Sequence, residues 1–73
     1  MSLSEALIEI KQNKIIRRIH SNTSYCFDVN TKKFGIMIKY NVHEGVKYDI
    51  KYAERDTISF YADDLLADDW IVE

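Results

Sequence analysis

The chain has no proline, two glycines and one cysteine among its 73 residues. A lone cysteine excludes an internal disulfide, and a reduced, cytoplasmic setting fits its free thiol. The glycines, Gly35 and Gly45, stand alone and cannot form the glycine-rich loop that cradles phosphates. No proline, repeat or low-complexity stretch marks a linker. We therefore expect a single domain spanning residues 1–73.

Long apolar runs are also missing, and no stretch approaches the length of a membrane span. The first apolar stretch is interrupted by Glu5, Glu9 and Lys11, so we expect no signal peptide and no membrane partner. The net charge of -2 argues against duplex nucleic acid, which usually requires a strongly basic face. Basic residues nevertheless cluster around Arg17 and Arg18, away from an acidic C-terminal third. Such a divided surface is compatible with a small anionic ligand.

A domain of this length buries only about three-fifths of its unfolded surface, so its core alone gives marginal stability. Disulfides, metals or oligomerisation usually compensate for this. The disulfide is excluded, and His20 and His43 are too far apart and unaccompanied for a zinc motif. We expect no metal, no cofactor and a homo-oligomer.

The hydrophobic periodicity predicts an α+β fold: an N-terminal helix packed on a small antiparallel meander sheet, with a short helical turn near the C-terminus. Ser2 and Glu5 have capping-box spacing, and Asn13 is suited to a left-handed helix stop. The apolar positions of this helix repeat at i, i+3, i+4 and i+7, and they are Leu3, Ala6, Leu7 and Ile10.

Alternating or β-rich segments predict the strands, at residues 14–19, 25–29, 34–42, 46–52, 57–61 and 70–73. The alternation is strictest over 46–52. One face there is apolar and consists of Val46, Tyr48, Ile50 and Tyr52, whereas the other consists of Lys47, Asp49 and Lys51. This pattern predicts a half-buried antiparallel strand.

The segment DDLLADDW, residues 63–70, suggests an acidic metal or catalytic site. It lacks the glycine turn and bidentate glutamate of a calcium loop, and nothing in it indicates a pair of carboxylates with separated pKa values. Magnesium needs only one or two carboxylates, so an enzyme that uses these aspartates stays an alternative. Helix capping by Asp63 and Asp64 is the favoured interpretation. Cys26 lies within an alternating strand, where a packed thiol is favoured over a nucleophile.

Five tyrosines, three phenylalanines and one tryptophan exceed what a single thin core requires. Aromatic residues in such number favour core or subunit-interface packing. The competing interpretation is a platform on which a nucleobase stacks, with Arg17 and Arg18 pairing with phosphates beside it.

Two segments, in the same order, resemble one known family. The opening SEALIEIKQNKIIRR resembles that family's N-terminal helix, lysine-containing turn and basic pair. The closing DLLADDWIVE resembles its Asp-Leu-Leu-Ala-x-Asp-Trp motif and β-rich tail. The family comprises small phage proteins that include the second Thoeris anti-defence type, the nucleotide-signal sponges. The closing motif is the more specific of the two.

This resemblance implies a non-enzymatic protein of the host-cell cytoplasm, assembled as a homotetramer, with a dimer as the alternative. It implies capture of an immune signalling nucleotide, a cyclic ADP-ribose isomer or a cyclic dinucleotide, between subunits. A second hypothesis is a protein–protein inhibitor or adaptor of a host defence protein on the same scaffold.

The resemblance also assigns ligand-binding roles. Arg17 or Arg18 would contact phosphate, since Arg18 matches the family's basic position. The family's tryptophan after the basic pair corresponds to about Ser21 here, and TISFY replaces the tryptophan that precedes its closing motif. The expected contributors to the pocket wall, the stacking surface and the rim are Ser21, Asn22, Tyr25, Phe60, Tyr61, Asp63 and Asp64.

Overall fold

The computed structural model describes residues 1–53 and 59–73. Its elements are α1 (Leu3–Ile10), β1 (Ile16–Arg18), β2 (Thr23–Asp28), β3 (Lys33–Val42), β4 (Gly45–Tyr52), α2 (Ala62–Leu66) and β5 (Trp70–Val72). The strands form one antiparallel sheet in the order β4-β3-β2-β1-β5. The predicted α+β architecture is confirmed. Neither helix has the length and apolar character needed to cross a membrane.

Local signals explain where α1 begins and ends. The Ser2 hydroxyl accepts a hydrogen bond from the Glu5 amide at 3.2 Å, and the Glu5 carboxylate accepts one from the Ser2 amide at 3.0 Å. The bonds that the Glu5 carboxylate accepts from the Ser2 amide and the Ser2 hydroxyl lower the pKa of Glu5. Asn13 adopts a left-handed φ of 63° at the end of the turn that follows Ile10, the last residue of α1. The predicted capping box and left-handed stop are therefore confirmed.

Several predicted strands have different limits in the structure. The segment 14–19 contributes only the three residues of β1, and β2 ends at Asp28, so Val29 lies in the following turn and is exposed. Of the strand predicted at 57–61, residues 57 and 58 lie outside the described residues, and 59–61 are not in a strand. The predicted C-terminal edge strand is β5.

The core lies between α1 and the β5 side of the sheet. Ile16 and Trp70 are fully buried there, beneath Leu3, Ala6 and Ile10 of the helix. The Trp70 indole N–H donates to the Asp64 carbonyl at 2.9 Å, which fixes the ring in the core. The core is small because α1 packs mainly against β1, β2 and β5.

The β3–β4 hairpin extends beyond the helix. The side chains of Val46, Tyr48, Ile50 and Tyr52 project from the sheet face opposite α1, and each is about half exposed. The prediction of a half-buried β4 is therefore wrong for the single chain, in which all eight of its residues are exposed. The helix α1 lies on the other face of the sheet and packs mainly against β1, β2 and β5, so it leaves the apolar side of β4 uncovered.

Candidate functional site

The loop between β1 and β2 separates two polar clefts. Arg17 and Arg18 are consecutive strand residues, so their side chains point to opposite faces of the sheet. The open-face cleft, on the side away from α1, has a volume of about 230 Å³ and is lined by Arg17, Ile19, His20, Ser21, Asn22, Ser24, Lys39 and Glu73. The helix-side cleft has a volume of about 260 Å³ and is lined by Arg18, His20, Ser21, Asp64 and Asp69.

Arg17 is held firmly at the wall of the open-face cleft. Its Nε donates to the Glu73 carboxylate, and its Nη1 donates to the carbonyls of Arg18 at 3.2 Å and Ile19 at 2.9 Å. Lys39 is a second cation, and the Ser24 hydroxyl contributes a polar group from a residue that is only 5% exposed. With Glu73 as the one carboxylate in the lining, the cleft has a net positive charge.

Hydrogen bonds to the neighbouring backbone order the loop that borders both clefts. The Ser21 hydroxyl accepts from the Thr23 amide at 3.0 Å, and the Asn22 carbonyl accepts from the Lys39 amide at 3.0 Å. These bonds hold the Ser21 hydroxyl and the Asn22 backbone in place without a ligand, which reduces the ordering cost of binding.

Arg18, in the helix-side cleft, is already bound by two carboxylates. Its Nε and Nη2 donate to Asp69 at 2.9 and 3.3 Å, and its Nη1 donates to Asp64 at 3.1 Å. These bonds raise the pKa of Arg18 and lower that of Asp69. Two carboxylates offset the single positive charge, so this arrangement suits a structural link better than an anion site.

The predicted capping role of Asp63 and Asp64 is wrong. The N-cap of α2 is Tyr61, which makes no side-chain cap hydrogen bond. Both aspartates lie in the first turn, where their charge suits the helix dipole. Asp64 binds Arg18 instead, and Asp63 is exposed and lines neither cleft.

The aromatic residues expected to stack on a base are not placed at either cleft. Tyr25 and Phe60 pack on each other with ring centroids 5.0 Å apart, and each lies 5.9 Å from the Trp70 ring. Burial raises the pKa of Tyr25. Tyr61 is 84% exposed but lines neither cleft. The rings of Tyr25 and Phe60 are therefore part of the core packing.

Five lining residues of the open-face cleft were absent from the predicted site: Ile19, His20, Ser24, Lys39 and Glu73. Strand alternation could have indicated Lys39, which shares a face of β3 with Gly35 and Met37. Ser24 is opposite Arg17 in the β1–β2 register, which no local pattern reveals. Glu73 reaches Arg17 across a separation of 56 residues.

The described residues contain no group of three or more His, Cys, Asp or Glu side chains arranged to hold a metal ion. Cys26 is partly buried, and burial raises the pKa of its thiol, which disfavours the reactive thiolate. A Cβ at Gly35 would lie 2.7 Å from its Sγ. The structure therefore places Cys26 as a packed thiol, as predicted.

Comparison with known proteins gives no relative for this chain: it matches no protein-family model, no curated protein and no solved structure.

Proposed function

We propose that this chain is a non-enzymatic binding protein that captures a small anionic signalling nucleotide in its open-face cleft. The ligand would be a cyclic ADP-ribose isomer or a cyclic dinucleotide, removed from a bacterial immune system by a phage anti-defence protein in the host cytoplasm. The observation that carries the proposal is the pairing of two cations, Arg17 and Lys39, with hydroxyl and amide groups in one cleft.

The geometry of Arg17 favours phosphate binding. A guanidinium has five N–H donors, and the bonds to Glu73 and to two carbonyls engage the Nε and Nη1 groups. No contact of the described residues uses the Nη2 donors, so these remain for a ligand. Because the side chain is already held in place, less rotamer entropy is lost when an anion binds. Lys39 would supply the second charge, and Ser21 and Asn22 would hydrogen-bond a ribose.

The size of the cleft favours a shared site. Its volume of about 230 Å³ lies below the roughly 300–1,000 Å³ of typical small-molecule pockets, so one subunit would hold only part of a nucleotide. A second subunit would cover the rest, in the homo-oligomer expected for so small a domain, with a tetramer favoured over a dimer. The base would then stack on an aromatic residue of that second subunit, and Tyr61 is exposed enough for this role.

Calorimetric titration with cyclic ADP-ribose isomers and cyclic dinucleotides tests the proposal. Arg17→Ala and Lys39→Ala should each weaken binding at least tenfold, since each removes a charge-assisted contact worth about 1.5–3 kcal/mol. Lys33→Ala is the matched control, because Lys33 lies on the same strand face as Lys39 but outside the cleft. The absence of binding to every compound, or equal losses in all three variants, would refute the proposal.

The alternative function is inhibition of a host defence protein by direct contact. It is favoured by the exposed apolar side chains of the hairpin, among them Tyr48 and Ile50. Affinity capture from an infected host should then recover a stoichiometric host protein, and denaturation should release no nucleotide. Nucleotide release would support the first proposal instead.

A further inference from the structure

The outer edge of β4 is an exposed strand edge. β4 is eight residues long and lies at the end of the sheet, with no strand beside it among the described residues. The opposite edge is formed by β5, which has only three residues. A long, proline-free edge strand exposes a row of unpaired backbone groups and is a ready template for another strand.

The register with β3 shows which backbone groups point outward. The Ala53 amide donates to the Phe34 carbonyl at 2.8 Å, so these two residues form a hydrogen-bonded pair. Such pairs recur at every second residue of an antiparallel ladder. The odd-numbered residues of β4 therefore bond to β3, whereas the N–H and C=O groups of Val46, Tyr48, Ile50 and Tyr52 face the free edge.

The side chains of β4 carry a self-complementary charge pattern. Lys47, Asp49 and Lys51 lie on the sheet face on which α1 packs, and their charges alternate in sign along the strand. When a strand pairs with a copy of itself in antiparallel orientation, residues at equal distances from the centre lie opposite each other. A centre at Tyr48 therefore places Lys47 opposite Asp49 of the second copy, and this occurs twice by symmetry.

We infer that β4 pairs antiparallel with β4 of a second copy of this chain, centred on Tyr48. Val46 then forms a hydrogen-bonded pair with Ile50 of the second copy, and Tyr48 pairs with its equivalent. Three such pairs supply roughly six backbone hydrogen bonds, since each pair exchanges two. Lys47 and Asp49 occupy the intervening positions, where cross-strand side chains approach most closely and opposite charges stabilise the pair.

The charges select this register over its neighbours. A centre at Asp49 would place Asp49 opposite its equivalent and Lys47 opposite Lys51, and like charges directly opposite each other destabilise a sheet. A centre at Ile50 would pair Asp49 with Lys51, but it would pair only residues 48–52 of β4 with one another, whereas the centre at Tyr48 pairs residues 45–51. The centre at Tyr48 keeps both the favourable charges and the greatest length of paired strand.

This pairing would join two five-stranded sheets into one continuous sheet. It uses the edge of β4 and leaves the open-face cleft between β1, β2 and β3 uncovered. The inference therefore goes beyond nucleotide capture, and the two proposals can be tested independently.

Charge reversal tests the interface. Sedimentation equilibrium, without nucleotide, compares the wild type with Lys47→Asp, Asp49→Lys and the double swap. We expect a wild-type mass of at least twice the 8.6 kDa of one subunit. Each single change creates two like-charge contacts and should raise the dissociation constant roughly tenfold, and the double swap should restore it to within about threefold. Circular dichroism checks that each variant folds.

Three results would overturn the inference: a wild type that stays monomeric at about 100 μM, a mass that neither single change affects, or a double swap that stays as weak as the single changes. The last result is the one expected for the Ile50-centred register, because the swap would then place the lysine introduced by Asp49→Lys opposite Lys51. Calorimetry with the nucleotide panel, run on the same samples, shows whether the cleft still binds when the dimer fails.

Cross-linking gives a second, geometric readout. At the proposed two-fold axis the Cα atoms of residue 48 would lie about 5.5 Å apart, which is within the disulfide range of about 4.4–6.8 Å. Tyr48→Cys in a Cys26→Ser background should therefore form a covalent dimer on mild oxidation. Leu66→Cys in the same background is the control, since Leu66 is 85% exposed but lies in α2, outside β4. Equal cross-linking at both positions would contradict the pairing.

Discussion

Arg18 and Asp69 form a two-point ion pair that joins β1 to the residue before β5. The donor–acceptor distances are 2.9 Å from Nε and 3.3 Å from Nη2, and Asp64 of α2 accepts a third bond from the same guanidinium. Three parts of the chain thus meet at one side chain, and the two aspartates are 46 and 51 residues away from Arg18 in sequence. These ion pairs therefore hold the acidic C-terminal segment against β1.

Replacing Arg18 should lower the melting temperature. Arg18→Ala leaves Asp64 and Asp69 facing each other without the cation, and like charges then destabilise the folded state. Arg18→Lys keeps the charge but not the bidentate geometry, so it should recover only part of the loss. Thermal unfolding followed by circular dichroism measures both. Lys14→Ala, which breaks only the exposed pair with Glu9, should have a much smaller effect.

Acid should weaken the Arg18–Asp69 ion pair. Because the hydrogen bond and charge of Arg18 lower the pKa of Asp69 in the folded state, the unfolded state binds the proton more readily at low pH. The stability contribution is complete above the ordinary aspartate pKa of 3.8 and is lost as the pH falls through the lower folded-state value. In Asp69→Asn the unfolding free energy should change less with pH below about 4. Identical acid profiles would contradict this role.

Trp70 should be the most sensitive core position. Trp70→Ala removes a fully buried ring that packs on Tyr25 and Phe60, and large-to-small changes of this kind cost about 3–5 kcal/mol. That loss is close to the whole stability expected of so small a domain, so the variant should be largely unfolded at 25 °C. Trp70→Phe should fold but lose at least about 1 kcal/mol, because the Asp64 carbonyl loses its partner. Urea titration followed by circular dichroism compares the two.

Gly35 and Cys26 should show coupled effects. Gly35→Ala would place a methyl group 2.7 Å from the Cys26 Sγ and 3.2 Å from Tyr52, and overpacking of this kind costs about 1–3 kcal/mol. Cys26→Ala removes the closer contact, so the double variant should be more stable than the sum of the single changes predicts. A double-mutant cycle from urea titrations measures the coupling. Strictly additive changes would show that the strand shifts to accommodate the methyl group.

Nucleotide binding in the open-face cleft should depend on salt. The cleft is polar and open to solvent, and its charge comes from Arg17 and Lys39. Raising NaCl from about 50 to 500 mM should weaken the wild type more than Arg17→Ala, because the variant has one fewer cation to screen. Calorimetry at several salt concentrations gives both slopes. A salt-independent affinity would indicate that the nucleotide binds elsewhere.

The sequence alone determined the elements that depend on neighbouring residues. Ser2, Glu5 and Asn13 set the limits of α1, and the alternation over residues 34–42 identified β3, because capping and side-chain periodicity act within a few residues. The same local rules placed Arg17 and Arg18 in one strand, and the structure shows that their side chains point to opposite faces of the sheet.

The tertiary structure decided which residues contact each face of the sheet. Asp63 and Asp64 were expected to cap a helix, but Asp64 binds Arg18 together with Asp69, a pairing that depends on the path of the whole chain. The apolar side of β4 was expected to be half buried, but it faces away from α1, which packs on the other face of the sheet against β1, β2 and β5. Local periodicity reports which side chains share a face, whereas burial depends on the length and position of the element packed against it.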